Sequence, residues 1–315
     1  MSPASARPEQ ERRCGRRPHP KGDVMILVAG ATGQLGQLIA HKLLARGESV
    51  RILVRDGSNY EALVAAGAEP VRGDLKDPDS LRAACRGVAA LVTTANATAR
   101  GGEDTIESVD RAGNRNLIDA AGTESVRHVV FVSSLGAAPD HPMPLLRAKG
   151  EAEQQLRDSG MAWTVLQPNL FLDKLPMAVV GGPALAGQPI TLIGEGRRRH
   201  SMIAMRDAAA YAVAALETPK SEEQTLVIGG PRPLSWHDIV TEFEEVLGTP
   251  LPVRTVPIGQ PVPGMPDFLS DLLTALEAYD SPIDSSALAS TYGVTPTRLG
   301  DFVRDFVADS DQRVP

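Results

Sequence analysis

Short apolar runs alternate with stretches of helical periodicity along the first half of this chain. Runs rich in Val, Ile and Leu predict strands that start at Val24 and then cover 50–54, 68–71, 89–95, 128–134 and 162–168. Helical patterns lie between them, at 60–66, 77–86, 106–121 and 145–159. Strands that are apolar throughout and alternate with helices predict an α/β fold, in which helices cover both faces of a parallel sheet.

The pattern changes after Pro168, where Pro and Gly become frequent and the strict alternation is lost. A helix at 207–217, a strand at 225–230 and a helix from Ser235 to Gly248 are still predicted. We therefore expect a first domain at 24–168 and a smaller substrate-side α/β region at 169–315. Some elements of that region, at about 203–230, are expected to return to the main sheet.

The segment from Val24 to Gly36, VMILVAGATGQLG, contains the strongest functional motif. Gly30 allows a sharp turn, Gly33 allows the backbone to approach a pyrophosphate, and Gly36 allows the following helix to pack on the strand. Because a strand precedes these glycines and a helix follows them, the motif predicts dinucleotide binding and a doubly wound Rossmann sheet, rather than a purely structural turn. The predicted cofactor contacts in this turn are Gly30, Thr32, Gly33, Gln34, Leu35 and Gly36.

Composition narrows the range of partners. The 315 residues carry a net charge of −7, and only 4% of them are aromatic, which argues against a nucleic-acid partner. No apolar run approaches the length of a membrane span. The two cysteines, Cys14 and Cys85, cannot build a disulfide framework or a zinc site, and the histidines follow no metal-ligand spacing. We expect a cytoplasmic monomer or homodimer without a metal, preceded by a disordered basic tail at 1–23.

The end of the second predicted strand bears on the choice of cofactor. An acidic residue at this position binds the ribose of NAD, whereas here Arg55 comes first and Asp56 follows. A guanidinium suits the 2′-phosphate of NADP(H), which we favour over NAD(H), although a surface Arg–Asp pair is the alternative. Asp74 closes the third strand and is either an adenine contact or a residue that initiates a turn. Leu75, which follows it, is also a predicted cofactor contact.

Five segments together resemble the NmrA-like atypical short-chain dehydrogenases/reductases: GATGQLG, LVRD, RGDLKDPDSL, FVSSLGA and LQPNLFLD. The resemblance extends from about Met25 to Val256. It implies a Rossmann fold, NADP(H) as cofactor, and either a quinone- or azo-type reductase or a regulator that binds the dinucleotide without turnover. It also implies cofactor contacts from Thr94, Ala95, Pro168, Asn169 and Phe171.

The wider superfamily uses a Tyr-x-x-x-Lys pair on the helix after the fifth strand. Lys149 matches the lysine, but Leu145 stands four residues before it, and no tyrosine occurs between Tyr60 and Tyr211. The resemblance therefore implies that Lys149 contacts the cofactor and acts in catalysis, aided by Ser133 or Ser134, one of which is expected to point into the fold. The alternative is that Lys149 is a solvated cation near Glu151 and Glu153. Asp110 stands where relatives place a water-organising Asn, and we expect it to be a surface carboxylate.

Two further segments leave alternatives open. The basic run Arg197, Arg198, Arg199 and His200 is either a solvated loop or a contact for an anionic or phenolic substrate. The segment 259–282 is either a substrate lid or a partner-binding surface. Phe171 either stacks near the substrate or belongs to the core.

The sequence thus predicts an NADPH-dependent oxidoreductase that transfers hydride to a quinone, an enone or a similar conjugated carbonyl compound. A quinone forms a stabilised phenolate on reduction, so the missing tyrosine is chemically tolerable. A tailoring enzyme of aromatic natural products would share this cofactor site. A non-catalytic NADP(H)-sensing regulator that acts through a protein partner is the alternative from another class.

Overall fold

The computed structural model describes residues 24–97 and 102–311. The predicted tail at 1–23 therefore lies outside the described residues. The described chain contains these strands: β1 (Met25–Ala29), β2 (Ser49–Val54), β3 (Glu69–Arg72), β4 (Val88–Thr93), β5 (His128–Val132), β6 (Ala162–Pro168), β7 (Ile190–Ile193), β8 (Gln224–Ile228) and β9 (Val253–Val256).

Seven of these strands form one parallel sheet in the order β3-β2-β1-β4-β5-β6-β8. The order reverses at β1, which pairs with β2 on one side and with β4 on the other. This arrangement is the doubly wound Rossmann topology, whose ligands bind at the carboxyl ends of the strands beside the reversal. The predicted fold class is confirmed.

The helices of the described chain, including two that begin with π-helical turns, cover the sheet and build the region beyond it. They are α1 (Gln34–Ala45), α2 (Glu61–Ala65), α3 (Pro78–Cys85), the π-helical turn Ile106–Arg111 that continues into α4 (Ala112–Thr123), α5 (Pro144–Asp158), the π-helical turn Met177–Gly181 that continues into α6 (Gly182–Leu185), α7 (Met205–Glu217), α8 (Trp236–Leu247), α9 (Asp267–Leu276), α10 (Ser286–Tyr292) and α11 (Leu299–Asp311).

Residues of β1 show why the strands are apolar throughout. Ile26 and Val28 pack in a core with α1 and α7, whereas Leu27 and Ala29 pack in a second core with α3, α4 and α5. Alternate side chains of a strand point to opposite faces, so a sheet covered on both sides needs apolar residues at every position.

The chain beyond Pro168 contributes to both parts of the molecule. β8 pairs with β6, and α7 packs on α1, so both complete the main sheet layer. A third core lies between β7, α8, α9 and α11. β7 and β9 form a separate two-stranded parallel sheet that the sequence pattern did not predict, because each has only four residues and β9 is largely exposed.

The contact between α1 and the glycine turn is made by backbone atoms. A Cβ atom added at Gly36 would lie 2.1 Å from the carbonyl oxygen of Gly30 and 2.8 Å from the Cα of Ala31. Such separations are far below van der Waals contact, so any side chain at position 36 would push α1 away from the turn.

We predict that Gly36→Ala lowers the free energy of unfolding by about 1–3 kcal/mol, because the new methyl group overpacks this contact. Gly122→Ala is the matched control, since Gly122 also lies in a helix but has nothing within 4 Å of an added Cβ. The control should raise stability by up to about 1 kcal/mol through helix propensity. Urea unfolding followed by circular dichroism measures both, and equal stabilities for the two variants would contradict the close packing of α1.

Candidate dinucleotide-binding and active site

The turn between β1 and α1 is shaped by Gly30. Its φ angle is +84°, and an added Cβ would lie 2.6 Å from Oγ1 of Thr94 and 2.9 Å from the amide nitrogen of Ala95. Gly30 therefore lets the turn lie directly against the end of β4. The structure thus brings together the predicted residues Gly30, Thr94 and Ala95.

The first turn of α1 is open to a ligand. Its N-cap is Gly33, which is exposed and supplies no side-chain hydrogen bond to the helix amides. The amide of Gly33 donates to the carbonyl oxygen of Gly30 at 3.0 Å, and this bond holds the turn closed. An uncapped helix N-terminus at the sheet's carboxyl edge fits a pyrophosphate, which would accept hydrogen bonds from these amides.

The other predicted residues of this turn differ in accessibility. Gln34 is exposed and Thr32 is half-buried, whereas the side chain of Leu35 is buried in the core beneath the turn. A contact from Leu35 to a cofactor would therefore come from its backbone.

A cluster of charges lies beyond the carboxyl ends of β2 and β3. Nη1 of Arg55 lies 2.6 Å from one carboxylate oxygen of Asp104, and Nζ of Lys76 lies 2.7 Å from the other. Asp56 does not pair with Arg55; its carboxylate lies 2.7 Å from Arg72 on the open surface. Sequence reasoning found Arg55 but missed Lys76 and Asp104, which are distant in the chain.

Asp74 and Leu75 have local structural partners. Oδ1 of Asp74 accepts a hydrogen bond from the amide of Lys76 at 2.8 Å, which is the pattern of a turn-initiating Asp. The side chain of Leu75 is buried, and a Cβ added at Gly113 would lie 2.8 Å from its Cβ. The geometry therefore favours the turn interpretation of Asp74.

Lys149 lies on the inner face of α5 at the carboxyl end of β5. Its side chain is only 6% exposed, and Nζ donates to the carbonyl oxygen of Val132 at 3.0 Å and lies 5.5 Å from the ring centroid of Phe131. Burial lowers the pKa of Lys149, while the negative charges of Asp110 and Glu153 act in the opposite direction.

Asp110 is a correction to the sequence analysis, which expected a surface carboxylate. Asp110 is completely buried, and its Oδ2 accepts a hydrogen bond from the amide of Ala97 at 2.9 Å. It belongs to the buried stripe that continues through Asn114 and Leu117 at helical spacing. That spacing was the available signal, because a carboxylate within an apolar stripe faces the interior and needs partners there.

Ser133 and Ser134 point in different directions. Ser133 is buried and donates to Glu153, which also accepts from Gln167 at 2.9 Å and from Arg157 at 2.8 Å. Ser133 is therefore the inward-pointing serine of the pair. Ser134 is half-buried and makes no side-chain hydrogen bond to the described residues, which leaves it as the serine available at the edge.

The loop after β6 is anchored to a distant segment. Pro168 is buried at the end of the strand. The side-chain Nδ2 of Asn169 donates to the backbone oxygen of Ser281 at 3.0 Å and to its hydroxyl at 2.9 Å. Phe171 is half-buried, pairs with Ile203 and packs against the main core. Neither Asn169 nor Phe171 therefore presents a wholly free side chain, and their contacts to a cofactor remain a prediction.

The basic run after β7 also joins that distant segment. Arg198 donates to the backbone oxygen of Glu277 at 3.1 Å, and the amide of Arg199 donates to Asp280 at 2.7 Å. His200 is buried and shares a hydrogen bond of 2.7 Å with Ser281. Arg197 is exposed, with Glu195 at 3.8 Å.

The apolar residues Leu273 and Leu276 of α9 are buried in the third core, so this face of 259–282 is covered by the chain itself.

Neither a cluster of metal-ligating side chains nor a membrane-spanning helix is found in the described residues. Among residues 24–97 and 102–311, no group of three or more His, Cys, Asp and Glu side chains is placed to hold a metal ion. Within the same residues, no helix combines the length and apolarity needed to cross a membrane.

A glycine turn packed against an uncapped helix, at the reversal point of a parallel sheet, defines the class of this protein. It is a Rossmann protein with a site for a nicotinamide dinucleotide. Comparison with known proteins identifies the family within that class.

The sequence profile of the NAD(P)H-binding family matches residues 30–219. An NAD(P)H azoreductase of Xenophilus azovorans is 33% identical over 287 residues, which cover 90% of this chain and 95% of that protein. A photosystem II assembly factor of Trieres chinensis is 30% identical over 234 residues, which cover 74% and 72% of the two chains. The structure of an Escherichia coli NADPH-dependent quinone oxidoreductase complexed with NADPH superposes with a TM-score of 0.74 at 23% identity, covering 90% and 100% of the two chains.

The chain belongs to the NAD(P)H-binding family. The resemblance to atypical short-chain dehydrogenases/reductases is confirmed, as is the prediction of an NAD(P)H-dependent oxidoreductase. The predicted nicotinamide dinucleotide cofactor is confirmed as well.

We predict that Asp110→Asn destabilises the protein by about 1–3 kcal/mol at pH 7, because it removes a buried negative charge that favours protonated Lys149. The folded-state pKa of Lys149 lies below its unfolded value, so the unfolded chain binds the proton more tightly and stability rises with pH in that window. The variant lowers this pKa further.

The deficit of Asp110→Asn should therefore shrink when the pH is raised towards the unfolded pKa of lysine. Urea unfolding at several pH values measures this trend. Adding Lys149→Met, which removes the unpaired ammonium, should restore part of the lost stability. A deficit that is independent of pH would show that Asp110 does not act through the effect of its charge on Lys149.

Proposed function

We propose that this protein transfers a hydride from NADPH to a flat conjugated acceptor such as a quinone, an enone or an azo compound. The observation that carries the proposal is a dinucleotide site beside a buried lysine, Lys149, which has Leu145 and not a tyrosine four residues before it. The likeness to an NAD(P)H azoreductase over nine tenths of the chain supports the same class of reaction.

None of the four tyrosines stands four residues before Lys149. Tyr60 packs against the main core, and Tyr279 is half exposed, with its ring edge-on to that of His200. Tyr211 is buried on α7 in the core beneath α1 and packs edge-on against Tyr292, with ring centroids 6.1 Å apart. Burial raises the pKa of Tyr211 to about 12, which is the wrong direction for a proton donor activated by a lysine. Without a tyrosine paired to Lys149 in sequence, the proposal favours an acceptor that is reduced without a strong protein acid. Quinones and azo compounds meet this condition because their reduced anions are delocalised.

The chain's own residues would bind and orient the reactants. The first-turn amides of α1 would hold the pyrophosphate, and Arg55 with Lys76 would hold the 2′-phosphate. When bound, the reduced nicotinamide supplies the hydride. Lys149 would position the nicotinamide ribose and hold a proton at Nζ, and Ser134 would donate a hydrogen bond at the acceptor side. The segment around Ser281 would exclude water from the edge.

The alternative is a non-catalytic regulator that senses NADP(H). One observation favours it: Nζ of Lys149 is buried and donates to the carbonyl oxygen of Val132, so in this structure it is directed at the sheet. One relative is named as an assembly factor and not as a reductase. Both hypotheses require dinucleotide binding, and turnover separates them.

We predict that NADPH consumption with a panel of quinones and azo dyes falls by about 10²-fold or more in Lys149→Met, as expected for loss of a proton-transfer group. NADPH binding, followed by fluorescence in the same samples, should weaken much less. Because burial lowers the pKa of Lys149, the wild-type rate should fall as the pH rises through a value below the ordinary range of lysine.

Arg147→Ala is the matched control, since Arg147 is an exposed cation two residues earlier on α5. It should leave the rate and its pH dependence unchanged. Tight NADPH binding without turnover on any acceptor would reject the reductase and favour the regulator.

A further inference from the structure

The carboxylate of Asp104 bridges two cations at the edge of the dinucleotide site. One oxygen lies 2.6 Å from Nη1 of Arg55, and the other lies 2.7 Å from Nζ of Lys76. The Asp104 side chain is only 6% exposed, whereas those of Arg55 and Lys76 are 37% and 39% exposed. The carboxylate side chain is thus nearly buried, whereas the two cations remain partly open to solvent.

The bridge is strongly ionic. Its hydrogen bond to Lys76 holds the pKa of Asp104 below the usual carboxyl range, and the same bond raises the pKa of Lys76. Asp104 is therefore a carboxylate at neutral pH and leaves the Arg55–Lys76 pair with a single net positive charge. Asp74 reduces that charge further, since its Oδ2 lies 4.0 Å from Nζ of Lys76.

The position of this bridge matters because of what the two cations would bind. Arg55 follows β2 and Lys76 follows β3, so both lie where the adenosine ribose of a dinucleotide reaches the carboxyl edge of a Rossmann sheet. A phosphate monoester carries nearly two negative charges and accepts hydrogen bonds from the same guanidinium and ammonium groups. A carboxylate that spans both groups uses the donors that a 2′-phosphate needs.

We propose that Asp104 is an internal competitor of the 2′-phosphate of NADPH. In the free protein, and with NADH bound, its carboxylate neutralises Arg55 and Lys76. When NADPH binds, the 2′-phosphate displaces the carboxylate from at least one of the two cations. Asp104 thereby limits the preference for NADPH and keeps NADH acceptable, a specificity role that rests on the proposed binding of the 2′-phosphate by Arg55 and Lys76.

The test compares the affinities of NADPH and NADH, measured by fluorescence titration of the full chain. Asp104→Asn keeps the shape of the side chain but removes its charge. It should raise the affinity for NADPH about tenfold and change that for NADH by less than about twofold. Its NADPH affinity should also fall more steeply with salt, because an additional net positive charge faces the phosphate.

Asp56→Asn is the matched control, because this carboxylate lies one residue after Arg55 but pairs with Arg72 on the open surface. It should leave the ratio of the two affinities unchanged. Asp104→Ser is a second neutral variant in case the amide itself bridges the cations or disturbs folding, and it should shift the ratio in the same direction. Weaker NADPH binding in the neutral variants, or an equal change for both dinucleotides, would overturn the proposal.

Arg55→Gln separates this proposal from the function on which it rests. If Arg55→Gln abolishes the preference for NADPH but the neutral Asp104 variants do not increase it, the 2′-phosphate site stands and the competitor is rejected. If Arg55→Gln leaves both affinities unchanged, the 2′-phosphate site is itself misplaced and the role of Asp104 fails with it.

Discussion

The backbone contact between Gly36 and Gly30 sets the geometry on which the other features of this protein depend. Because no side chain separates them, α1 begins immediately beside the end of β1, and its first-turn amides lie at the carboxyl edge of the sheet. Gly30 brings the same turn against Thr94 and Ala95 at the end of β4. The dinucleotide site is therefore a consequence of close packing at the point where the strand order reverses.

Two groups of charges flank that turn, and they differ in their surroundings. Lys149 and Asp110 are buried, so their interaction acts through a poorly solvated interior and bears directly on the proton affinity of the lysine. Arg55 and Lys76 are partly exposed, so solvent and salt can compete for them. The first arrangement suits control of the proton affinity of a lysine, and the second suits reversible binding of an anion.

Much of the main fold could be predicted from the sequence, because its strands are apolar on both faces and its helices have clear boundaries. β9 could not be predicted, since its residues are mostly exposed and carry no apolar pattern. Asp110 was predicted at the surface because it is charged. Its helical spacing from Asn114 and Leu117, which are buried, places it in the interior instead. The bridge through Asp104 depends on tertiary contacts, and spacing along one sequence does not encode which side chain fills a space between two loops.

The packing of α7 on α1 has a consequence for how the molecule folds. Residues of both helices share one core, and β8 pairs with β6 across a long intervening segment. Without the later residues, the helix that presents the phosphate-binding amides would leave an apolar face in water. We therefore expect the stability of the nucleotide-binding half to depend on α7, so that the first motif of the chain is held in place by one of its later helices.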